Sequence, residues 1–136
     1  MFEVTFLPIL VAALVGVGIA FVWYHAKVFG PAFRRVLNLT SEQTDRGIKR
    51  MPLSIFIAFL GNIVAAYVLN YFGIAWGVYD WIGGVELGIW VWIGFVAPVL
   101  LSSVLWEMKP FKYYAINAGY WLVSFVAMAV VLVLLG

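Results

Sequence analysis

The stretch FVAPVLLSSVLWEMKPFKYYAINAGYW, residues 95–121, decides how the rest of the chain is read. It holds the end of one apolar run, a short turn carrying Glu107, Lys109 and Lys112, and the start of the next apolar run. Pro110 forces Lys109 out of helical geometry, so the first helix is expected to stop just after Glu107. A turn this short makes the two runs antiparallel neighbours. Pro98 lacks an N–H and its ring clashes with the carbonyl of Gly94, so a kink is expected there. Ser102 lies one turn below Pro98, and Ser103 and Glu107 form an i, i+4 pair. Beyond the turn, Tyr113, Asn117, Tyr120 and Ser124 recur at i, i+4, i+7 and i+11, a polar stripe about 60° wide on a helix. Ala115 and Gly119 mark a separate small-residue face.

Outward from this hairpin, the chain is 66% hydrophobic and only 10% charged. Soluble domains carry about 25% charged residues, so this composition belongs in a bilayer. Four apolar runs are placed at about 4–26, 51–72, 87–107 and 111–135. Each is long enough, at about 1.5 Å per residue, to cross a hydrocarbon core of about 30 Å. The fold expected is an all-α membrane protein of four transmembrane helices, forming a single domain over 1–136. Short amphipathic helices are expected in the connector 27–50. There, Gly30-Pro31 opens one helix with Phe33, Val36 and Leu37 on its apolar side. Thr40 and Gln43 form a capping box that opens a second, and Pro52 falls in the first turn of the second span.

The basic residues set the orientation. Lys27, Arg34, Arg35, Arg46, Lys49 and Arg50 lie between the first and second runs, and Lys109 and Lys112 between the third and fourth. The 73–86 loop has none and carries Asp80 and Glu86, and Glu3 precedes the first run. Both basic loops are therefore expected on the cytoplasmic side, with both termini outside. The first run has no basic segment before it and reads as a signal anchor rather than a cleaved signal. The 73–86 loop, rich in Gly, Trp and Tyr, reads as an aromatic lid.

Polar groups inside such a bundle are the candidate site. Asn62, near mid-bilayer, shares a helix side with Ser54, Ala58, Gly61 and Ala65 and needs a partner within the bundle. Ala12, Gly16 and Ala20 form a second small-residue stripe that suits helix packing. The hairpin, with His25, is expected to gather Ser102, Ser103, Glu107, Asn117 and Tyr120 at the basic end, with Asn62 deeper. A carboxylate at membrane depth is costly, which makes Glu107 a candidate proton or cation site. Set against that, Glu107 at a helix end suits an ion pair with Lys109, Lys112 or His25. The chain has no cysteine and one histidine, so no thiolate or multi-histidine metal site is open to it. No nucleotide loop and no Ser-His-acid spacing is present. No catalytic residue, metal or cofactor is therefore assigned. Expected partners are the lipid bilayer, an unidentified small molecule and a second copy through Gly/Ala faces, not nucleic acid.

The segments LVGVGIAFVWYHAKVFGPAF (14–33) and GFVAPVLLSSVLWEMKPFKYYAINAGYWLVS (94–124) resemble the bacterial and archaeal membrane family known as domain of unknown function 1761. By that resemblance Trp23, Tyr24, Phe29, Gly30, Pro98, Glu107, Asn117, Gly119 and Tyr120 occupy motif positions. His25 departs from the small or polar residue usual there. The resemblance implies four spans in a prokaryotic plasma (inner) membrane and carries no activity. Two functional readings stand: a ligand- or partner-binding membrane protein, or an oligomeric small-solute or ion transporter acting through Glu107. The orientation has a direct check. An N-terminal tag is expected to be reached from outside the cell, and access from the cytoplasm alone would reverse the topology.

Overall fold

Lipid offers no hydrogen-bond partner to a backbone N–H or C=O, so each apolar run closes its own ladder as a helix. The computed structural model describes residues 6–25 and 28–136. Glu3, the start of the expected 4–26 span and Lys27 lie outside the described residues. The helices are α1 (Phe6–Trp23), α2 (Gly30–Leu37), α3 (Ser41–Ala75), α4 (Trp81–Leu105) and α5 (Phe111–Leu135). Four of them, α1, α3, α4 and α5, are long and apolar enough to cross a membrane. Only 17% of the most apolar window of α3 is buried inside the protein against 39% of that of α5, so α3 turns the larger share of its side chains outward.

Helix α5 is the centre of the bundle, with α4 and α1 packed against different sides of it and α3 leaning mainly on α1. The core lies toward the acidic end, where Ile9, Ala12, Ala66, Leu69, Leu87, Met128 and Leu132 are buried together. Backbone approach is closest between α4 and α5. A Cβ placed on Gly88 would stand 2.7 Å from the Val126 Cα, and one on Gly84 would stand 3.2 Å from Val133 Cγ2. Gly84 and Gly88 are thus a Gly-x-x-x-Gly pair whose missing side chains admit the neighbouring backbone.

Three boundaries differ from the sequence expectation. The capping box is present, with Thr40 Oγ1 accepting from the Gln43 N–H at 3.1 Å and Gln43 Oε1 accepting from the Thr40 N–H at 2.9 Å. The helix it opens does not end before the second span, however, but runs for 35 residues with Pro52 inside it. Pro52 and Ile48 both lie on an exposed side, so the carbonyl freed by the proline can be hydrated and the helix survives. The connector therefore holds one free-standing amphipathic helix, α2, while the second is the stem of α3.

The third span begins at Trp81 rather than residue 87, because Asp80 Oδ1 accepts from the Gly83 N–H at 2.8 Å and caps it. Only residues 76–80 then link α3 to α4, too few for the aromatic lid expected over 73–86. At its other end α4 stops at Leu105, leaving Glu107 in the turn.

The distortion expected at Pro98 takes the form of a π turn over Trp92–Val96. The Ala97 N–H reaches back five residues to the Trp92 carbonyl, and the widened turn makes room for the proline ring against Gly94.

Substituting Gly88 with Val should destabilise the bundle by about 3 kcal/mol through overpacking. Gly18→Val, where a Cβ meets nothing within 4 Å, should cost well under half as much. Detergent unfolding of the two variants checks this, and equal losses would show that the α4–α5 approach is not the tight one.

Candidate functional site

The residues on which the family resemblance rests come from two distant segments, and the structure locks most of them together. At the end of α1 the chain turns sharply into α2, with the Phe29 N–H donating to the Trp23 carbonyl at 3.1 Å and the Gly30 N–H to the His25 carbonyl at 3.0 Å. The turn leaves no room for a side chain at Gly30, where a Cβ would lie 2.5 Å from the Tyr24 carbonyl oxygen. Trp23 stacks obliquely on Phe29, covers Gly119 and donates its indole N–H to the Ile116 carbonyl at 2.9 Å. The Tyr24 hydroxyl donates to Asn117 Oδ1 at 2.6 Å, and its ring contacts Phe33 and Tyr120. Phe33 stacks on Tyr113, 5.6 Å away and nearly parallel, which fixes α2 against α5. The polar stripe of α5 is therefore real, and its partners are α1 and α2.

Deeper in the bundle, the Tyr120 hydroxyl donates to the Gly16 carbonyl at 3.0 Å and the Asn62 amide to the Ala13 carbonyl at 3.5 Å. The Tyr120 hydroxyl is within reach of the fully buried Ser124 hydroxyl and of Asn62. Gly16 is the crossing point. A Cβ there would lie 2.8 Å from Asn62 Nδ2 and 3.2 Å from Ser124 Oγ.

From this polar floor a groove of about 660 Å³ opens between α1, α2 and α3. Val17, Ala20 and Phe21 form one wall. The opposite wall is α3, where Gln43, Gly47, Met51, Ser54, Ala58 and Asn62 follow one turn apart in succession and Thr44, Ile48 and Ile55 flank them. Tyr120 joins Asn62 at the inner end, and Arg34, His25 and Thr44 stand at the outer end. The volume falls in the range of small-molecule sites, about 300–1,000 Å³. A second groove, of about 340 Å³ between α3, α4 and α5, is lined wholly by apolar side chains such as Leu69, Phe72 and Phe95. Lipid tails suffice to fill it.

The expected gathering of polar residues on the hairpin is corrected by this geometry. The α4-facing side of α5 carries Ala118, Phe125, Val126, Ala129 and Val133, roughly 160° around the helix from the Tyr113–Ser124 stripe at about 100° per residue. The polar faces of the two helices therefore do not meet. Ser102 and Glu107 are exposed, and no ion pair to Glu107 forms among the described residues. Ser103 is buried but satisfied within its own helix, donating to the Leu100 carbonyl at 2.8 Å. Pro98 is exposed, and the nearby contact to α5 runs from the Tyr114 hydroxyl to the Ala97 carbonyl at 3.0 Å. Neither groove counts Glu107 among its lining residues. Asn62, Asn117, Tyr120 and Tyr24 are brought together. His25 is exposed at the groove's outer end.

The α3 row was available in the sequence as intervals of four, four, three, four and four. Dividing the helix at Pro52 concealed it. No group of three or more metal-ligating side chains forms among the described residues.

Four apolar helices around buried, neutral hydrogen bonds define a small integral membrane protein. The chain belongs to the family described as protein of unknown function DUF1761, whose model matches residues 7–133. No curated protein and no solved structure matches it.

Tyr120→Phe, which deletes the bond to Gly16, should cost about 1 kcal/mol. Gly16→Val should cost about 3 kcal/mol by driving α1 from Asn62 and Ser124. Denaturation in mixed detergent reads both, and losses of only a few tenths for the pair would show that this junction does not hold the helices.

Proposed function

We propose that the protein holds an amphipathic, membrane-borne small molecule in the groove between α1, α2 and α3. One observation carries this reading. The groove follows a row of α3, from Gln43 to Asn62, that is polar at both ends and, Ser54 apart, without a polar side chain between them. At about 1.5 Å per residue that row spans roughly 28 Å, which suits an elongated molecule rather than a small ion. The groove opens sideways along the apolar part of α3, so such a molecule enters from the bilayer without crossing water. The ligand-binding role expected of the 95–121 hairpin thus moves to the opposite face of α5. The transport reading through Glu107 draws no support from an exposed carboxylate outside both grooves.

In this reading the basic end of the bundle faces the cytoplasm of a prokaryotic cell, as its eight Lys and Arg residues favour. Self-association would use small residues left exposed, Gly61 and Ala115 among them, because Ala12, Gly16, Gly84 and Gly88 are buried within the chain.

A photoreactive diazirine lipid tests the groove. Cross-links are expected to concentrate on Phe21 and on the Met51–Ala58 stretch of α3, and Ala58→Trp should lower them severalfold. Labelling spread evenly over all four spans and unchanged by Ala58→Trp would overturn the proposal.

A further inference from the structure

The outer end of the groove specifies the chemistry of what it takes. Arg34 is the one arginine among the described residues that line it, and no Asp or Glu lines it. Helix α2 is set on α5 by the Phe33–Tyr113 stack, and this fixed rotation brings Arg34 to the groove across from Gln43, Thr44 and Gly47. The neighbouring Arg35 is exposed and is not a lining residue. Arg34 Nε makes one long bond to the Gly30 carbonyl, 3.5 Å, and the guanidinium makes no ion pair among the described residues. The nearest carboxylates in sequence, Glu42 and Asp45, flank Gln43 and Thr44 but point off the lining row, and Glu42 sits 4.0 Å from Arg46. Arg34 therefore lines the groove with no carboxylate among the residues of its walls.

Inward of Arg34 the groove presents apolar side chains that the protein itself leaves open. Ile48 is 59% exposed, Phe21 52% and Met51 44%. A soluble anion would leave that surface bare, whereas an acyl chain would cover it. A guanidinium fork matches the oxygens of a phosphate.

From this pairing we infer that the groove binds an anionic phospholipid. Its phosphate lies on Arg34 and one acyl chain runs along Ile48, Met51, Ile55 and Ala58 toward Asn62. The inference rests on the groove reading above and narrows it from an amphipathic molecule to a phosphate-headed lipid.

The test uses the full chain purified in a neutral detergent, with lipid-bound species counted by native mass spectrometry. Phosphatidylglycerol is expected to bind roughly tenfold more tightly than phosphatidylcholine with the same chains. Arg34→Gln should remove most of that preference, while Arg35→Gln leaves it in place. If Arg34→Gln keeps the preference, or Arg35→Gln removes as much of it, the assignment to Arg34 is overturned and only a diffuse basic surface is at work. Glycerol 3-phosphate supplies the headgroup without the chains. Competition by it at concentrations matching the lipid would make a soluble anion the ligand and overturn the lipid assignment. Ala58→Trp and, as a second filler at an exposed position, Ser54→Trp separate the two levels. Both should abolish binding of either lipid. If they do so while the headgroup preference proves insensitive to Arg34, the groove stands and the phosphate assignment falls. If neither filler changes binding, the groove reading itself falls.

Discussion

Among the described residues, five side-chain donors cross between helices to end on backbone carbonyls. The indoles of Trp23 and Trp92 reach Ile116 and Ala118, the hydroxyls of Tyr120 and Tyr114 reach Gly16 and Ala97, and the Asn62 amide reaches Ala13. A polar group left unpaired at membrane depth costs a few kcal/mol, so each donor needs an acceptor. A helix carbonyl already bonded in its own ladder still has a second lone pair. Four of the five acceptor residues are Gly or Ala, whose short side chains leave the carbonyl approachable. Ile116 and Ala118 lie nearly opposite each other on α5, so Trp23 and Trp92 hold that helix from two sides and fix its rotation. The neutral pairing suits lipid better than ion pairs, which need charges taken out of water.

Much of this was legible in the chain because the bilayer reduces the choices. Run length alone sets four spans, and the Thr40–Gln43 box and the Gly30-Pro31 start appear as the expected caps. The spacing of Tyr113, Asn117, Tyr120 and Ser124 puts them on one side of a helix, since 3.6-residue periodicity survives any packing arrangement, and that side meets α1 and α2. Asn62 was read correctly as a residue that would find a partner inside the bundle.

What periodicity does not contain is which neighbour a stripe faces. Short turns make α4 and α5 adjacent, and adjacency invited the assumption that their polar faces meet. The Gly84–Gly88 pair shows why they do not. The missing side chains of Gly84 and Gly88 let the α4 backbone approach α5 on its Val126–Ala129 side, which leaves the polar side of α5 to α1. Glu107 then falls in the turn, where a charge stays in contact with water. Pro52 misled in a similar way. A proline usually marks a helix start, but one on an exposed side near an interface removes a single bond and leaves the helix intact.

The uninterrupted course of α3 has a mechanical consequence. At about 52 Å, the helix is roughly 20 Å longer than the hydrocarbon it crosses, so it is a rod with an overhanging stem. Bilayer thickness acts on its apolar half, and because the helix continues through Pro52 the overhang moves with the tilt angle. Because α2 is clamped to α5 rather than to α3, the distance between Arg34 and the stem is set by that angle, as the gape of scissors is set at the pivot. Gly16 and Asn62, where α1 and α3 cross, are the pivot.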